Sequence, residues 1–222
     1  MIRTEPLKNG RFVLVDDSCT FGIDAVLLSS FAAPYANGRV CDLGTGCGII
    51  PLLWELPPTL TVDAVDCSEH AVFLARETVQ KNGLSPLITV HQGDWRRLSL
   101  AANSYDCVVC NPPYFAENSG KVSADPGRRL ARHETASTLS DVAAAAARLL
   151  RHGGHFCLCH RPERLVDVLS VLRSHGLEPK RLQWVHARPS TAPFIFLCEA
   201  VKGGKPLLRV LPPYFTEEEY SL

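Results

Sequence analysis

A glycine-rich turn constrains the fold of this chain more than any other feature. Residues 42–48 read Asp-Leu-Gly-Thr-Gly-Cys-Gly, and they follow an apolar stretch at 39–43 that has the pattern of a buried strand. A short helical stretch comes next and must end before the prolines at 57 and 58. Glycine takes positive φ without strain and lets the backbone pass close to a ligand. A strand, a glycine turn and a helix in this order predict an α/β sheet with crossover helices.

The rest of the chain continues the alternation of apolar runs and helical periods. Ser68 and Asn82-Gly83 bound one predicted helix, and Ser140 with Asp141 is the expected cap of an alanine-rich one. Further strands are predicted at 61–65, 87–91, 107–110 and 155–160, with a helix at 162–175 and a hairpin of 183–186 with 194–201. These elements predict an α/β, doubly wound, mostly parallel seven-stranded sheet with one antiparallel edge strand. We expect a single domain over 1–222, in which a lead-in segment (1–37) precedes the core (38–222).

Composition narrows the class of protein. The 222 residues carry 23 Lys and Arg against 23 Asp and Glu, which excludes a uniformly basic coat for nucleic acid. No apolar run approaches the roughly 18 residues of a membrane span, and the first residues lack the apolar core of a signal peptide. We therefore expect a cytoplasmic protein with no membrane contact.

Nine cysteines fit reduced thiols in a core better than a metal site or a disulfide framework. Cys107 and Cys110 fall in one predicted strand, and Cys157 and Cys159 in another. A strand places residues i and i+3 on opposite faces, so Cys107 and Cys110 do not converge on one metal ion. The histidines show no ligand spacing either, and we expect no metal.

Acidic residues end three of the predicted strands. Asp42 precedes the glycine turn, Asp66 ends the next strand, and Asp94 follows the third. Ligands of doubly wound sheets bind outside the carboxyl ends of the strands, where Asp66 is placed to accept hydrogen bonds from ribose hydroxyls and Asp94 from an adenine amino group. The alternative role for Asp66, a first-turn helix acid, is already supplied by Glu69. The three acids therefore indicate a nucleoside site.

The sequence Asn111-Pro112-Pro113-Tyr114 follows the fourth strand and carries the most specific chemistry. Two prolines fix two φ angles and remove two donors, so that the turn can present carbonyl oxygens to one point. An Asn side-chain oxygen and a Pro main-chain oxygen can together accept both hydrogens of a planar NH2 group and aim its lone pair at an electrophile. Tyr114 and Phe115 offer faces on which a flat base can stack.

This set of motifs resembles the Rossmann-type S-adenosylmethionine-dependent methyltransferases (class I) that modify exocyclic or amide nitrogens. Within them the chain is most similar to the bacterial tRNA(Val) adenine N6-methyltransferases. The finer resemblance rests on Phe-Gly-Ile-Asp-Ala-Val-Leu-Leu at 21–28, on residues 111–115, on His-Arg-Pro-Glu-Arg-Leu at 160–165, and on Lys-Gly-Gly-Lys-Pro at 202–206 followed by Arg-Val-Leu-Pro-Pro at 209–213.

The resemblance implies S-adenosyl-L-methionine as the cofactor and assigns a role to each motif residue. Asp42, Gly44, Gly46 and Gly48 would border its methionine part. Asp66 would hold the ribose and Asp94 the adenine amine, and Asn111 would also touch the cofactor. The catalytic turn is Asn111, Pro112, Pro113 and Tyr114, where the first two hold the target amine and Tyr114 stacks on the base. Pro51 inside the first helix and the cysteines at 47 and 67 depart from the family pattern.

A basic cluster follows the catalytic turn, in the aperiodic stretch 117–135. We expect it to bind tRNA phosphates together with the aromatic ring of Phe115; its members are Lys121, Arg128, Arg129, Arg132 and His133. A merely solvated surface loop is the alternative. The oligomeric state is open, with a monomer the simpler expectation.

Several functions share parts of this pattern. N5-methylation of a translation-factor glutamine uses the same turn, but those enzymes usually carry a longer N-terminal domain. Methylation of rRNA guanine N2 is a third possibility, and a nucleotide-dependent oxidoreductase or an RNA chaperone without turnover comes from a different class. The family resemblance favours methyl transfer to the N6 amine of an adenine next to the anticodon of a tRNA.

Overall fold

A computed structural model of the chain describes residues 1–112 and 138–217. In these residues a nine-stranded sheet has the order β10-β8-β9-β7-β6-β3-β4-β5, and β11 pairs with β8. Its strands are β3 (Arg39–Leu43), β4 (Thr61–Asp66), β5 (Ile88–Gln92), β6 (Tyr105–Cys110), β7 (Leu150–His160), β8 (Leu177–His186), β9 (Ile195–Lys202), β10 (Arg209–Val210) and β11 (Tyr214–Phe215). A separate hairpin pairs β1 (Arg3–Pro6) with β2 (Phe12–Val15).

The predicted fold class is confirmed. Strands β3 to β7 pair in parallel, while β9 runs antiparallel to both of its neighbours, β7 and β8. The antiparallel pair of β8 and β9 lies at one edge of the sheet, as expected. The strand that runs opposite to the others is β9, the inner strand of this pair. Seven strands of the sheet are long, and seven is the predicted number. The two sheet strands that were not predicted, β10 and β11, have two residues each and pair with β8.

Five helices of the described residues connect or precede these strands: α1 (Ile23–Ala32), α2 (Ile49–Leu52), α3 (Glu69–Lys81), α4 (Leu139–Leu149) and α5 (Leu165–Ser174). None of them is long and apolar enough to cross a membrane. Ser68 caps α3 by accepting from the Ala71 amide at 3.3 Å, as predicted. The expected cap of α4 at Ser140 and Asp141 is wrong. Thr138 is the N-cap and forms a capping box with Asp141. The Thr138 hydroxyl accepts from the Asp141 amide at 3.1 Å, and the Thr138 amide donates to Asp141 Oδ2 at 2.9 Å.

The core divides into two layers, one on each face of the sheet. Alternate residues of β3 show the division, since Val40 packs in the layer with α1, α2 and α3 and Cys41 packs in the layer with α4 and α5. The strand cysteines at 107, 110, 157 and 159 are buried free thiols, as predicted. Burial of both sheet faces explains why these strands read as continuous apolar runs.

The lead-in segment packs against the helices that flank the glycine turn. Leu14 donates its amide to Thr78 Oγ1 at 3.0 Å, and the side-chain amide of Asn82 bonds both to the backbone N of Phe12, at 3.1 Å, and to its carbonyl, at 2.8 Å. Arg11 donates to the carbonyl of Leu52 at 2.8 Å. These bonds anchor the hairpin on α2 and α3 and bring residues 19–25 alongside the glycine turn.

Candidate active site

The glycine turn has the left-handed geometry that its sequence predicts. Gly44, Gly46 and Gly48 have φ values of 75°, 56° and 84°, which side chains rarely tolerate. The amides of Gly44 and Thr45 both donate to the carbonyl of Val65, at 2.8 and 3.0 Å. A side chain at Gly46 would meet nothing within 4 Å, so this glycine is needed for its φ and leaves open space beside the turn.

Asp66 holds the glycine turn against the start of α3. Its Oδ2 accepts from the Gly46 amide at 2.9 Å, and its Oδ1 accepts from the Ser68 amide at 2.9 Å. Each carboxylate oxygen has a second lone pair, so these bonds leave acceptor capacity for ribose hydroxyls. The predicted contact with a ribose stays a prediction, and the structure adds an ordering role for the same carboxylate.

Asp42 lies fully buried behind the turn with half of its carboxylate unsatisfied. Thr45 Oγ1 donates to Oδ2 at 2.7 Å, and within the described part of the chain Oδ1 has no hydrogen-bond partner. Burial, with a contribution from the Asp66 carboxylate, raises the pKa of Asp42 to about 7. A cationic group close to the turn would favour the charged form of this carboxylate.

A cavity of about 350 Å³ opens in front of the glycine turn. Its walls come from the end of the lead-in segment and the start of α1 (20–22, 24 and 25), from the turn and α2 (44–47, 49 and 50), and from Asn111 with Pro112. The structure therefore brings the glycine turn and the first half of the predicted catalytic turn to one cavity. Asp66 and Asp94 are not among the described residues that line it.

The side chain of Asn111 is held from both ends. Its Nδ2 donates to Asp24 Oδ2 at 3.2 Å, and its Oδ1 accepts from the thiol of Cys159 at 3.1 Å. Sequence reasoning assigned no role to Asp24 or Cys159. Asp24 stands in the octapeptide at 21–28 that carries part of the family resemblance, and this was the one available signal.

Asp94 makes local bonds that its predicted role did not include. Its Oδ1 accepts from the backbone amide of Arg96 at 2.9 Å, and both carboxylate oxygens lie 2.8 Å from Arg96 Nε. The Arg96 guanidinium lowers the pKa of Asp94. The hydrogen bond from an adenine amino group to Asp94 stays a prediction.

The carboxyl end of β7 and the turn that follows it carry a histidine and two arginines. His160 is buried, and its Nδ1 accepts from the Arg161 amide at 2.8 Å. Burial, and then the charges of Arg164 and Arg161, lower the pKa of His160 to about 4, so it is neutral at physiological pH. Arg164 pairs with Asp167 at 2.7 Å.

Eight of the predicted site residues lie outside the described residues: Pro113, Tyr114, Phe115, Lys121, Arg128, Arg129, Arg132 and His133. Their catalytic and RNA-binding roles remain predictions. Within residues 1–112 and 138–217, no three His, Cys, Asp or Glu side chains come together in a way that would hold a metal ion.

A model of one protein family, the methyltransferase small domain, matches residues 19–166, which include the glycine turn, Asp66 and Asn111. The chain belongs to the methyltransferase small domain family. The match begins in the lead-in segment, at the residues that form one wall of the cavity. The family resemblance expected from the motifs is confirmed.

Relatives of this methyltransferase match over most of its length. The chain is 31% identical over 216 residues to a Parabacteroides distasonis protein named tRNA1(Val) (adenine(37)-N6)-methyltransferase, covering 95% of the chain and 90% of that protein. A protein of the same name from Aeromonas salmonicida is 34% identical over 171 residues, covering 75% of the chain and 71% of that protein.

Solved structures support the fold of this methyltransferase. An Agrobacterium tumefaciens protein described as a predicted O-methyltransferase superposes with a TM-score of 0.69 at 21% identity, covering 86% of each chain. Geranyl diphosphate C-methyltransferase from Streptomyces coelicolor, solved with S-adenosyl-L-homocysteine, superposes with a TM-score of 0.58 at 9% identity over 80% of this chain and 77% of that one. At these identities the likeness shows the architecture alone.

Proposed function

We propose that this protein transfers a methyl group from S-adenosyl-L-methionine to the N6 amine of adenine 37, next to the anticodon, in a valine tRNA. The observation that carries this proposal is the full-length similarity to relatives named for that reaction, at 31% identity over 95% of the chain. The position of Asn111 and Pro112 at the cavity of the glycine turn supports it.

The residues at and behind the glycine turn fit S-adenosylmethionine, which supplies a methyl group carried on a cationic sulfonium. The open space at Gly46 gives the ligand room beside the turn. The buried Asp42 carboxylate, with one oxygen lacking a donor in the described residues, favours a positive charge nearby. Asp66 keeps acceptor capacity for ribose hydroxyls. We assign these residues and the glycine turn to cofactor binding.

The target amine is assigned to Asn111 and Pro112. Asn111 Oδ1 and the carbonyl oxygen of Pro112 accept one amine hydrogen each, which localises the nitrogen lone pair and orients it for attack. Tyr114 is assigned to stacking on the adenine and the basic residues 121–133 to the tRNA backbone. Catalysis in this scheme comes from orientation and hydrogen bonding.

The experiment combines the full-length protein with methyl-labelled cofactor and an unmodified valine tRNA transcript, followed by nucleoside digestion. We expect label in N6-methyladenosine, and no label when adenine 37 is replaced by guanine. Asn111→Ala removes the amine acceptor and should lower the rate at least about 100-fold. The matched control is Asn37→Ala, an exposed asparagine just before β3 at the opposite end of the sheet, which should change the rate less than about twofold.

Parallel reactions contain a translation release factor or ribosomal RNA as the acceptor. Label in a glutamine of the factor, or in N2-methylguanosine of the rRNA, without label in the tRNA would refute the proposal.

A further inference from the structure

We infer that Asp24 is a positioning residue that fixes which end of the Asn111 amide faces the target amine. This inference deepens the proposed function and rests on it. Asp24 belongs to the first turn of α1, and Asn111 follows β6, 87 residues later in the chain. Their side chains meet at the cavity through the bond from Asn111 Nδ2 to Asp24 Oδ2, at 3.2 Å.

The chemistry of Asp24 and Cys159 determines the amide orientation of Asn111. An ionised carboxylate only accepts hydrogen bonds, so the end of the amide that faces Asp24 must be the NH2 group. The thiol of Cys159 donates to the other end, Oδ1, at 3.1 Å. Both contacts favour the same orientation. A rotation of the amide by 180° would set its oxygen against a carboxylate oxygen, which is repulsive.

This orientation matters because the two ends of an amide have opposite hydrogen-bonding character. With Nδ2 on Asp24, the end of the amide that is left to meet an amine hydrogen of the adenine is the acceptor, Oδ1. The reversed amide would present its NH2 group, a donor, to the adenine amine, which is also a donor. Asp24 therefore acts through Asn111 to hold the acceptor in the state that the methyl transfer needs.

Asp24 is itself held in place by its own turn. Its Oδ1 accepts from the Ala25 amide at 3.0 Å. A Cβ atom added at Gly22 would lie 2.5 Å from Asp24 Oδ1. Gly22 has φ −106°, which any residue adopts, so the glycine here serves the close approach of the carboxylate. The simpler role for Asp24, a first-turn acid that favours the helix dipole, would not depend on this contact.

The test is an exchange of the two side chains. Asp24→Asn should lower kcat about tenfold, since both amide orientations become available, while the Kd for S-adenosylmethionine changes less than about threefold. Asn111→Asp places two carboxylates together and should lower kcat at least about 100-fold. The double variant, Asp24→Asn with Asn111→Asp, again places an amide NH2 group opposite a carboxylate. It should be at least about tenfold more active than Asn111→Asp alone.

A second variant displaces the carboxylate without removing it. Gly22→Ala should lower kcat about fivefold in the wild-type background and have no further effect in an Asp24→Ala background, because the added methyl group acts by pushing Asp24 away. Equal effects in both backgrounds would show a role for Gly22 that is independent of Asp24.

Two results would overturn the inference: a double exchange whose activity equals the product of the two single effects, or an Asp24→Asn variant that loses cofactor affinity with unchanged kcat. A measurement that does not depend on methyl transfer distinguishes failure of this inference from failure of the proposed function. In the free protein, the side-chain NH2 resonances of Asn111, identified by their loss in Asn111→Ala, should shift in Asp24→Ala. If they shift while the wild type methylates no tRNA, the contact stands and the proposed function fails; if they do not shift, the inference fails.

Discussion

A fully buried carboxylate, Asp42, and a half-buried one, Asp63, lie on neighbouring strands and have opposite environments. Asp63 on β4 accepts hydrogen bonds from Tyr105, at 2.7 Å, and Arg39, at 3.1 Å, and lies 2.6 Å from His91 Nε2. Although burial raises its pKa, these partners outweigh burial and lower it. Among the described residues, Asp42 on β3 has Thr45 as its one side-chain donor, and its pKa is about 7.

The difference distinguishes a structural acid from one that we propose stabilises a bound ligand. The partners of Asp63 come from β3, β5 and β6, so its charge ties four strands together. Asp42 stands at the carboxyl end of β3, behind the glycine turn, and its charge is stabilised incompletely by the protein itself. A buried acid with an unsatisfied oxygen costs stability, and a ligand that supplies positive charge recovers that cost.

The largest effect expected from this contrast is on stability. Asp63→Ala leaves the Arg39 guanidinium without its carboxylate and should lower the free energy of unfolding by about 3 kcal/mol. Urea denaturation measures it. The Kd for S-adenosylmethionine should stay within about twofold of the wild-type value. A variant that keeps full stability would contradict the structural role of Asp63.

The next effect is on cofactor affinity. Asp42→Asn keeps an acceptor for Thr45 but removes the charge, and we expect it to raise the Kd for S-adenosylmethionine about tenfold at pH 8. Isothermal titration calorimetry measures the change. At the same pH the variant should unfold at a higher temperature than the wild type, because it no longer buries a charge. Unchanged affinity would remove Asp42 from the cofactor site.

The smallest effect is the pH dependence. With a pKa of about 7 in the free protein, the ionised fraction of Asp42 falls from about nine tenths at pH 8 to about one tenth at pH 6. Affinity for the cationic cofactor should therefore fall about fivefold over this interval, and binding at pH 7 should release protons. Asp42→Asn should lack the part of this pH dependence that comes from the titration of Asp42.

The same pKa fixes the sign of the stability dependence. Between the ordinary value of 3.8 and the folded-state value of about 7, the folded chain holds a proton on Asp42 that the unfolded chain has lost. The contribution of Asp42 to the free energy of unfolding therefore decreases as the pH rises through this window. A thermal-unfolding series that compares the wild type with Asp42→Asn isolates this term, and a constant difference between them across the window would contradict the raised pKa.

Local patterns predicted much of the fold and one half of the site. The glycine turn, the strands on either side of it and the cap of α3 depend on residues close together in the chain, and the structure confirms them. The cap of α4 was also encoded locally, as the Thr-x-x-Asp pattern of 138–141, and the prediction chose the wrong hydroxyl. The pairing of Asp94 with Arg96 two residues later belongs to the same local class.

Other contacts at the site join residues that are far apart in the chain. Asp24 and Cys159 reach Asn111 across 87 and 48 residues. No periodicity within either segment encodes such contacts, because they arise from strand order and from how the lead-in segment docks. The pKa of Asp42 is unpredictable from sequence for a similar reason, since it depends on burial by both layers of the core.

The docking of the lead-in segment also sets an order of events during synthesis. The bonds from Leu14 to Thr78 and from Phe12 to Asn82 join residues 64 and 70 positions apart. The hairpin leaves the ribosome before α3 has been translated, and its docking partners Thr78 and Asn82 do not yet exist. One wall of the cavity in front of the glycine turn is thus synthesised early and docked late, so a nascent chain that ends before α3 cannot complete that cavity.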